Sequence, residues 1–171
     1  NGESVVKSES VLYEDTLEQF TTFTPNPPST YEAGSVSFAG WYLNRSGTGN
    51  QIDLNTYKMP ASNLVLYAKW VPVSKTITFY LDEAALTAGN ALSNTAGFEV
   101  RRVPFGAIYN EAYVAGEGYA AYQAVPTPVK DEDQFIGWFY KDENGVEKAF
   151  DFNTMPVKRN LQLYAKWSTN V

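Results

Sequence analysis

The sequence contains no cysteine and no histidine. The first absence excludes disulfides, thiolate nucleophiles and Cys-based zinc sites. The second removes Ser-His-Asp triads, Cys-His dyads, the usual transition-metal ligands and a charge switch near neutral pH. No apolar run approaches the ~20 residues that cross a bilayer, and no signal-peptide pattern opens the chain. The abrupt start at Asn1 and Gly2 reads as a cut from a longer protein. A strong charge bias is also lacking. The net charge is −6, and division after Val73 leaves −3 on each side. No basic patch suits nucleic acid or an anionic membrane, so the even acidic balance reads as solubility.

Aromatic residues make up 15% of the 171 positions, with twelve Tyr and ten Phe, and hydrophobic residues 44%. That content excludes wholesale disorder, and short runs of strand-favouring residues point to a β-rich class. Large rings fill the small interior of a small module economically.

The chain repeats itself. Leu64-Val-Leu-Tyr-Ala-Lys-Trp70 returns as Leu161-Gln-Leu-Tyr-Ala-Lys-Trp167, 97 residues later. Phe38-Ala-Gly-Trp-Tyr42 matches Phe135-Ile-Gly-Trp-Phe139, Asp53-Leu-Asn-Thr56 matches Asp151-Phe-Asn-Thr154, and Met59-Pro60 matches Met155-Pro156. Chance does not preserve order across four blocks, so the chain holds two homologous modules. The first is placed at 1–71 and the second at 76–168, with a short, stiff, Pro-bearing linker at 72–75.

Period-two patterning makes the blocks strands. Leu161, Leu163, Ala165 and Trp167 share one face, as do Leu64, Leu66, Ala68 and Trp70. In Thr76 to Leu81, the inward residues are Ile77, Phe79 and Leu81. Val5 to Tyr13 and Phe98 to Phe105 are further strand candidates. Strict alternation puts Phe38, Gly40 and Tyr42 on one face, and Ala39 and Trp41 on the other. Gly40 and Gly137 lie within strands, where a glycine signals a group close over the backbone; an aromatic ring is expected at both. Asn144-Gly145 marks a hairpin turn, and Asp15-Thr-Leu-Glu18 has the spacing of a capping box. The stretch Asn110 to Tyr122 is Ala-rich but carries Gly116 and Gly118, leaving helix and loop open.

Gly-Trp-Tyr/Phe, then Asp-x-Asn-Thr, Met-Pro and Leu-x-Leu-Tyr-Ala-Lys-Trp resemble the Listeria–Bacteroides repeat, also called the internalin B-repeat. The resemblance covers most of both modules. It implies a small β-grasp, ubiquitin-like fold, and tandem use in secreted or wall-attached bacterial proteins, between a recognition region and an anchor. It implies no enzymatic activity and no cofactor. Two departures stand out. The family opens with a strand of the type Thr-x-Thr-Phe-Asp, which module two has at Thr76 to Leu81 and module one lacks. Module two also carries an insertion, 82–97, where the family has a tight turn; Ala84 to Gly89 within it suits a short helix.

The signature residues are Phe38, Gly40, Trp41, Tyr67 and Trp70, with Phe135, Gly137, Trp138, Tyr164 and Trp167. A ring kept in every copy serves the fold first, so the four Trp are read as core and a sugar-stacking platform as the competing reading. Lys69 and Lys166 are read as solvated lysines guarding a strand, against an isopeptide crosslink to Asn or Asp. Asp131, Glu132 and Asp133, and Asp142 with Glu143, lack the spaced oxygen ladder of a Ca²⁺ loop and are read as solvated turns. Arg101 and Arg102 point to opposite faces and form no patch. No catalytic, cofactor-binding or metal residue is expected. The reading is a non-catalytic, extracellular stalk or spacer that contacts a host or cell-surface protein. A carbohydrate-binding module with a glycan partner is the alternative, and a hydrolase, needing two acids across a cleft, a remote one. Module one is expected to fill its missing opening strand with Ser4 to Tyr13 or to borrow a strand from another molecule.

Overall fold

A computed structural model describes residues 5–110 and 124–169. The chain separates into two compact units, Asn1–Pro72 and Val73–Val171. Both are β-rich. The candidate helix at 110–122 falls almost entirely outside the described residues.

Unit one is built on a two-stranded antiparallel sheet of β1 (Val36–Tyr42) and β2 (Tyr67–Pro72). Their register runs from Val36 opposite Pro72 to Tyr42 opposite Tyr67, with an irregularity between Phe38 and Trp41. That irregularity corrects the strict alternation read from sequence. An extra residue in one strand shifts the side chains that follow, so Phe38 and Trp41 reach the same cluster, their ring centroids 5.2 Å apart. Gly40 sits in this bulge at φ 105°, where a Cβ would run into the Gln51 side chain. The close neighbour is therefore an amide side chain and not the expected aromatic ring. The capping-box reading also fails. Asp15 and Thr16 are taken up against Lys58 and Met59, and only a 3-10 turn forms, Glu18–Phe20, with Leu17 as its uncapped N-terminal neighbour.

Unit two carries β3 (Ser74–Tyr80), α1 (Glu83–Ala88), β4 (Arg101–Pro104), β5 (Ala107–Ile108), β6 (Gln134–Lys141), β7 (Glu147–Ala149), β8 (Pro156–Val157) and β9 (Leu161–Ser168). Five strands form one sheet in the order β4-β3-β9-β6-β7, and β5 pairs with β8. β3 and β9 run parallel; the other pairs are antiparallel. Pro72 ends β2 and Ser74 opens β3, so strand reaches from both sides into the segment read as a linker.

Of the residues read as inward in β3 and β9, Ile77, Phe79 and Leu163 are fully buried and Leu161 and Ala165 nearly so, whereas Leu81 and Trp167 are half-buried. With Val103, Tyr109, Trp138, Phe150 and Val157 the buried ones form one core. Each such aliphatic or Phe side chain removed from water contributes about 1.5–3 kcal/mol. Tyr80 and Tyr164, on the other face, are buried as well, so these strands are covered on both sides and not half-buried as the alternation implied. The Asn144-Gly145 hairpin forms, with Gly145 at φ 76° and Asp142 Oδ1 accepting the N–H groups of Asn144 and Val146 at 2.9 Å each.

The insertion folds where a short helix was expected. Asp82 caps α1 by accepting the Ala85 N–H at 2.8 Å, and Gly89 closes it in the left-handed region at φ 75°. The helix packs on β9 and β3. Farther on, Leu92 donates its N–H to the Phe79 carbonyl at 2.8 Å.

Candidate functional site

What the two copies share is a set of aromatic contacts that fix strands. In unit one, Phe38 lies 5.2 Å from Trp41 and 5.7 Å from Trp70 between ring centroids. In unit two, Phe135 lies 5.5 Å from Trp138 and 5.8 Å from Trp167. A lysine on the closing strand covers the ring after the Gly-Trp pair in each: Lys69 Nζ over Tyr42 at 5.2 Å, and Lys166 Nζ over Phe139 at 4.9 Å.

The surroundings of this shared set differ. Trp138 is 7% exposed, with Phe79 5.0 Å and Phe98 6.0 Å from it. Trp41 is half-buried, and Phe23 stacks on it at 6.2 Å. Trp167 donates its Nε1–H to the Leu81 carbonyl at 2.7 Å; Trp70 has no such acceptor among the described residues. Leu161, Leu163, Tyr164 and Ala165 are buried, whereas their counterparts Leu64, Leu66, Tyr67 and Ala68 are only half-buried. Gly137 has ordinary backbone, and a Cβ there would touch the Phe139 ring at 3.6 Å.

β9 explains the difference. Its first half, Leu161 to Leu163, pairs only with β3 (Ile77, Thr78 and Phe79), and β6 joins it from Tyr164 onward. In unit one the strand begins at Tyr67, and Leu64 to Leu66 form no strand. Among the described residues no counterpart of β3 pairs with them. The strand expected at Val5 to Tyr13 does not form either. Val5, at 81%, and Leu12, at 75%, are exposed, and residues 5–12 pair with no strand among the described residues. That segment precedes the Glu14–Met59 contact, just as β4 precedes the Gly106–Val157 contact, so in chain order it occupies the place of β4.

The second face of the unit-two sheet holds a polar group that sequence reading missed. Glu147 accepts from Tyr164 Oη and from Lys166 Nζ, each at 2.5 Å. The Lys166 ammonium, then the Tyr164 hydroxyl, hold the Glu147 carboxyl below the ordinary glutamate range. Burial first, and Glu147 second, push the Tyr164 phenol up. Lys166 therefore has a carboxylate partner on a half-exposed surface. Arg101 was also undervalued. Its Nε donates to Tyr109 Oη at 2.7 Å, and its two terminal nitrogens to the Glu99 and Gly97 carbonyls at 2.6 Å each. The guanidinium carbon lies 5.5 Å from the Phe79 ring centroid. A pair of adjacent arginines gives no sequence signal for which one is interior; the burial of Val103 and Phe79 beside it decides that.

Acidic clusters stay local. Asp142 spends Oδ1 on its turn and Oδ2 on Lys148 at 3.1 Å. A shallow depression lies between Tyr140, Asp142, Glu143, Asn144 and Arg159, and its two acids sit side by side on one turn. Among the described residues no group of three carboxylates converges on a point that could hold a metal ion, and no helix is long and apolar enough to cross a membrane.

Comparison with known proteins agrees with the repeat. An Evansella cellulosilytica protein that carries the name of a membrane protein is 30% identical over 170 residues, covering 99% of this chain and 20% of its own length. Another, with the name of a Gly-rich membrane protein, is 29% identical over 164 residues, covering 95% and 15%. Internalin H of Listeria monocytogenes serovar 1/2a is 28% identical over 143 residues, covering 84% and 21%. The chain thus spans about a fifth or less of the curated relatives it matches. No solved structure matches it. The family model of the Listeria-Bacteroides repeat domain matches residues 1–69 and 106–166, one region in each unit and most of the chain; the chain belongs to the Listeria-Bacteroides repeat domain family.

Proposed function

We propose that this chain is a non-catalytic tandem-repeat segment of a bacterial secreted or cell-surface protein, a spacer that also offers a protein-interaction surface. The observation that carries the reading is how the repeated residues are used. Phe38, Trp41 and Trp70, and their counterparts Phe135, Trp138 and Trp167, contact one another and hold strands. The polar groups that recur with them are spent inside the module: in the repeated Asp-x-Asn-Thr turn Asp53 Oδ1 accepts the Asn55 N–H at 3.0 Å and Asp151 Oδ1 the Asn153 N–H at 2.8 Å, and Lys69 and Lys166 lie over rings of their own sheets. A structural module repeats its core and its turns. Relatedness to Internalin H and to proteins carrying membrane-protein names is consistent with a surface location.

We read each module as β-grasp-like, the first at 1–71 and the second at 76–168 with 82–97 inserted. Unit two supports this with a mixed sheet whose first and last strands, β3 and β9, lie parallel in the middle. Unit one shows the closing pair of that arrangement, β1 and β2, among its described residues. The test of location is direct. Antibodies raised against the 171-residue chain should label intact cells of the producing bacterium, and surface proteolysis should remove the label. Labelling that appears only after lysis would refute the reading.

A further inference from the structure

The chain contains two sulfur atoms, both in methionines of the repeated Met-Pro step, Met59 and Met155. Their surroundings differ. In unit two the repeated turn closes on Met155 twice. The Met155 N–H donates to the Asp151 carbonyl at 3.0 Å, and the Asp151 N–H donates back to the Met155 sulfur at 3.3 Å. In unit one Tyr57 makes the first of these bonds, donating to the Asp53 carbonyl at 2.8 Å, and Met59 lies two residues farther along, its N–H and C=O engaged with Asp15 and Glu14. The Met155 turn also holds β5 and its continuation. The Phe152 carbonyl accepts the Asn110 N–H at 3.0 Å, and the Val157 carbonyl accepts the Gly106 N–H at 2.7 Å. Met155 packs against the core cluster and is half-buried, so part of the residue meets water.

We propose that Met155 is a modification site: a peroxide oxidises its thioether to the sulfoxide, and the change opens the 151–155 turn and loosens β5 from β8. The sulfur lone pair attacks one oxygen of hydrogen peroxide. The O–O bond breaks, an S–O bond forms, and the second oxygen leaves as water with both hydrogens. Sulfur is oxidised and peroxide is reduced. The geometry makes the product disruptive wherever the new oxygen points. An N–H···O bond needs about 2.9 Å between nitrogen and oxygen alone, so the oxygen cannot enter the 3.3 Å gap between the Asp151 nitrogen and the sulfur. Turned toward the core, it is a buried polar atom among apolar side chains, which is costly. Turned toward water, it leaves the Asp151 N–H facing an electron-poor sulfur that no longer accepts. The thioether is a weak acceptor that fits where a stronger one does not. Reductases return the sulfoxide to the thioether, so the modification is reversible.

The experiment treats the isotopically labelled 171-residue chain with hydrogen peroxide, locates the added oxygen by mass spectrometry of its peptides, and follows amide hydrogen exchange. A Met155→Leu chain, which keeps an apolar side chain of similar volume and removes the sulfur, is treated in parallel. Each chain is compared with itself before peroxide, so the cost of the substitution cancels. Oxygen should be found on Met155, and the Asp151 and Gly106 amides of the parent should exchange about tenfold faster or more. The same amides should not change in Met155→Leu, and reductases specific for the two sulfoxide epimers should restore the parent. Unchanged Asp151 and Gly106 rates with Met155 fully oxidised would overturn the proposal. So would a Met155 that stays a thioether while Met59 is converted. Equal acceleration in Met155→Leu would trace the effect to another residue and overturn it as well.

Discussion

Truncation of the two homologous tryptophans should have unequal effects, although the motif around them is the same. Trp138 is 7% exposed and meets Phe79, Phe98 and Phe135 at centroid distances of 5.0, 6.0 and 5.5 Å. Trp138→Ala removes the ring and leaves a cavity in a core that cannot fully collapse, a loss of about 3–5 kcal/mol. A domain of this size holds roughly 5–15 kcal/mol in total, and 1 kcal/mol corresponds to about 4–8 °C of melting temperature. Unit two should therefore melt about 12 °C lower or more. Trp41 meets two rings among the described residues, Phe38 and Phe23, and is half-buried. With about half the area buried, Trp41→Ala should cost unit one about half as much. Hydrogen exchange in denaturant, read separately for amides of β1–β2 and of β3–β9, measures both losses. If Trp41→Ala costs as much as Trp138→Ala, the claim that unit one is incompletely covered is wrong.

Replacing residues 82–97 with Asn-Gly should destabilise unit two, because the segment supplies the Leu92 bond to Phe79, the Tyr80–Ala91 bridge and the α1 cover on β9; the replaced protein should lose about 2 kcal/mol or more by denaturant melts, and an ultraviolet titration should show Tyr164 ionising closer to the ordinary phenol range. Arg101→Lys should cost unit two about 1.5–3 kcal/mol, because an ammonium cannot bridge Tyr109, Glu99 and Gly97 with a planar fork; an unchanged melt would show the fork to be dispensable. Glu147 is held below its ordinary range when folded, so its contribution is present above the unfolded value of ~4.3 and is lost as pH falls through the folded value. Glu147→Gln should flatten the acid limb of the unit-two stability curve below about pH 4. The effect should be under about 1 kcal/mol, because the Lys166 side chain is 41% exposed, and a mutant curve parallel to the parent would refute the linkage.

Much of unit two was legible because its signals are local and its partners are present. Period-two alternation located β3 and β9, and Asn144-Gly145 located the hairpin. Unit one was less legible for a physical reason. Leu64 to Trp70 carries the same alternation as Leu161 to Trp167, yet alternation shows only which side chains suit a buried face. Whether a strand forms depends on a neighbour, and Leu64 to Leu66 have none among the described residues. Asp15 to Glu18 met the same limit, since the spacing fits a cap while Asp15 and Thr16 are drawn into contact with Lys58 and Met59. The bulge at Gly40 defeated strict alternation because one extra residue reverses every side chain after it. Arg101 was misjudged because a charged residue gives no hint in sequence that three acceptors await it inside.

Two copies of one signature, differently buried, amount to an internal control. The aromatic contacts Phe38–Trp41–Trp70 form in unit one without an opening strand, at centroid distances close to those of Phe135–Trp138–Trp167. The hairpin-like pair of β1 and β2 therefore holds its own geometry. What the opening strand adds, judged from unit two, is burial of the first half of the closing strand, a ring on the central tryptophan and a carbonyl for the last one. Those are the additions that would turn a half-exposed edge into a fully paired sheet centre.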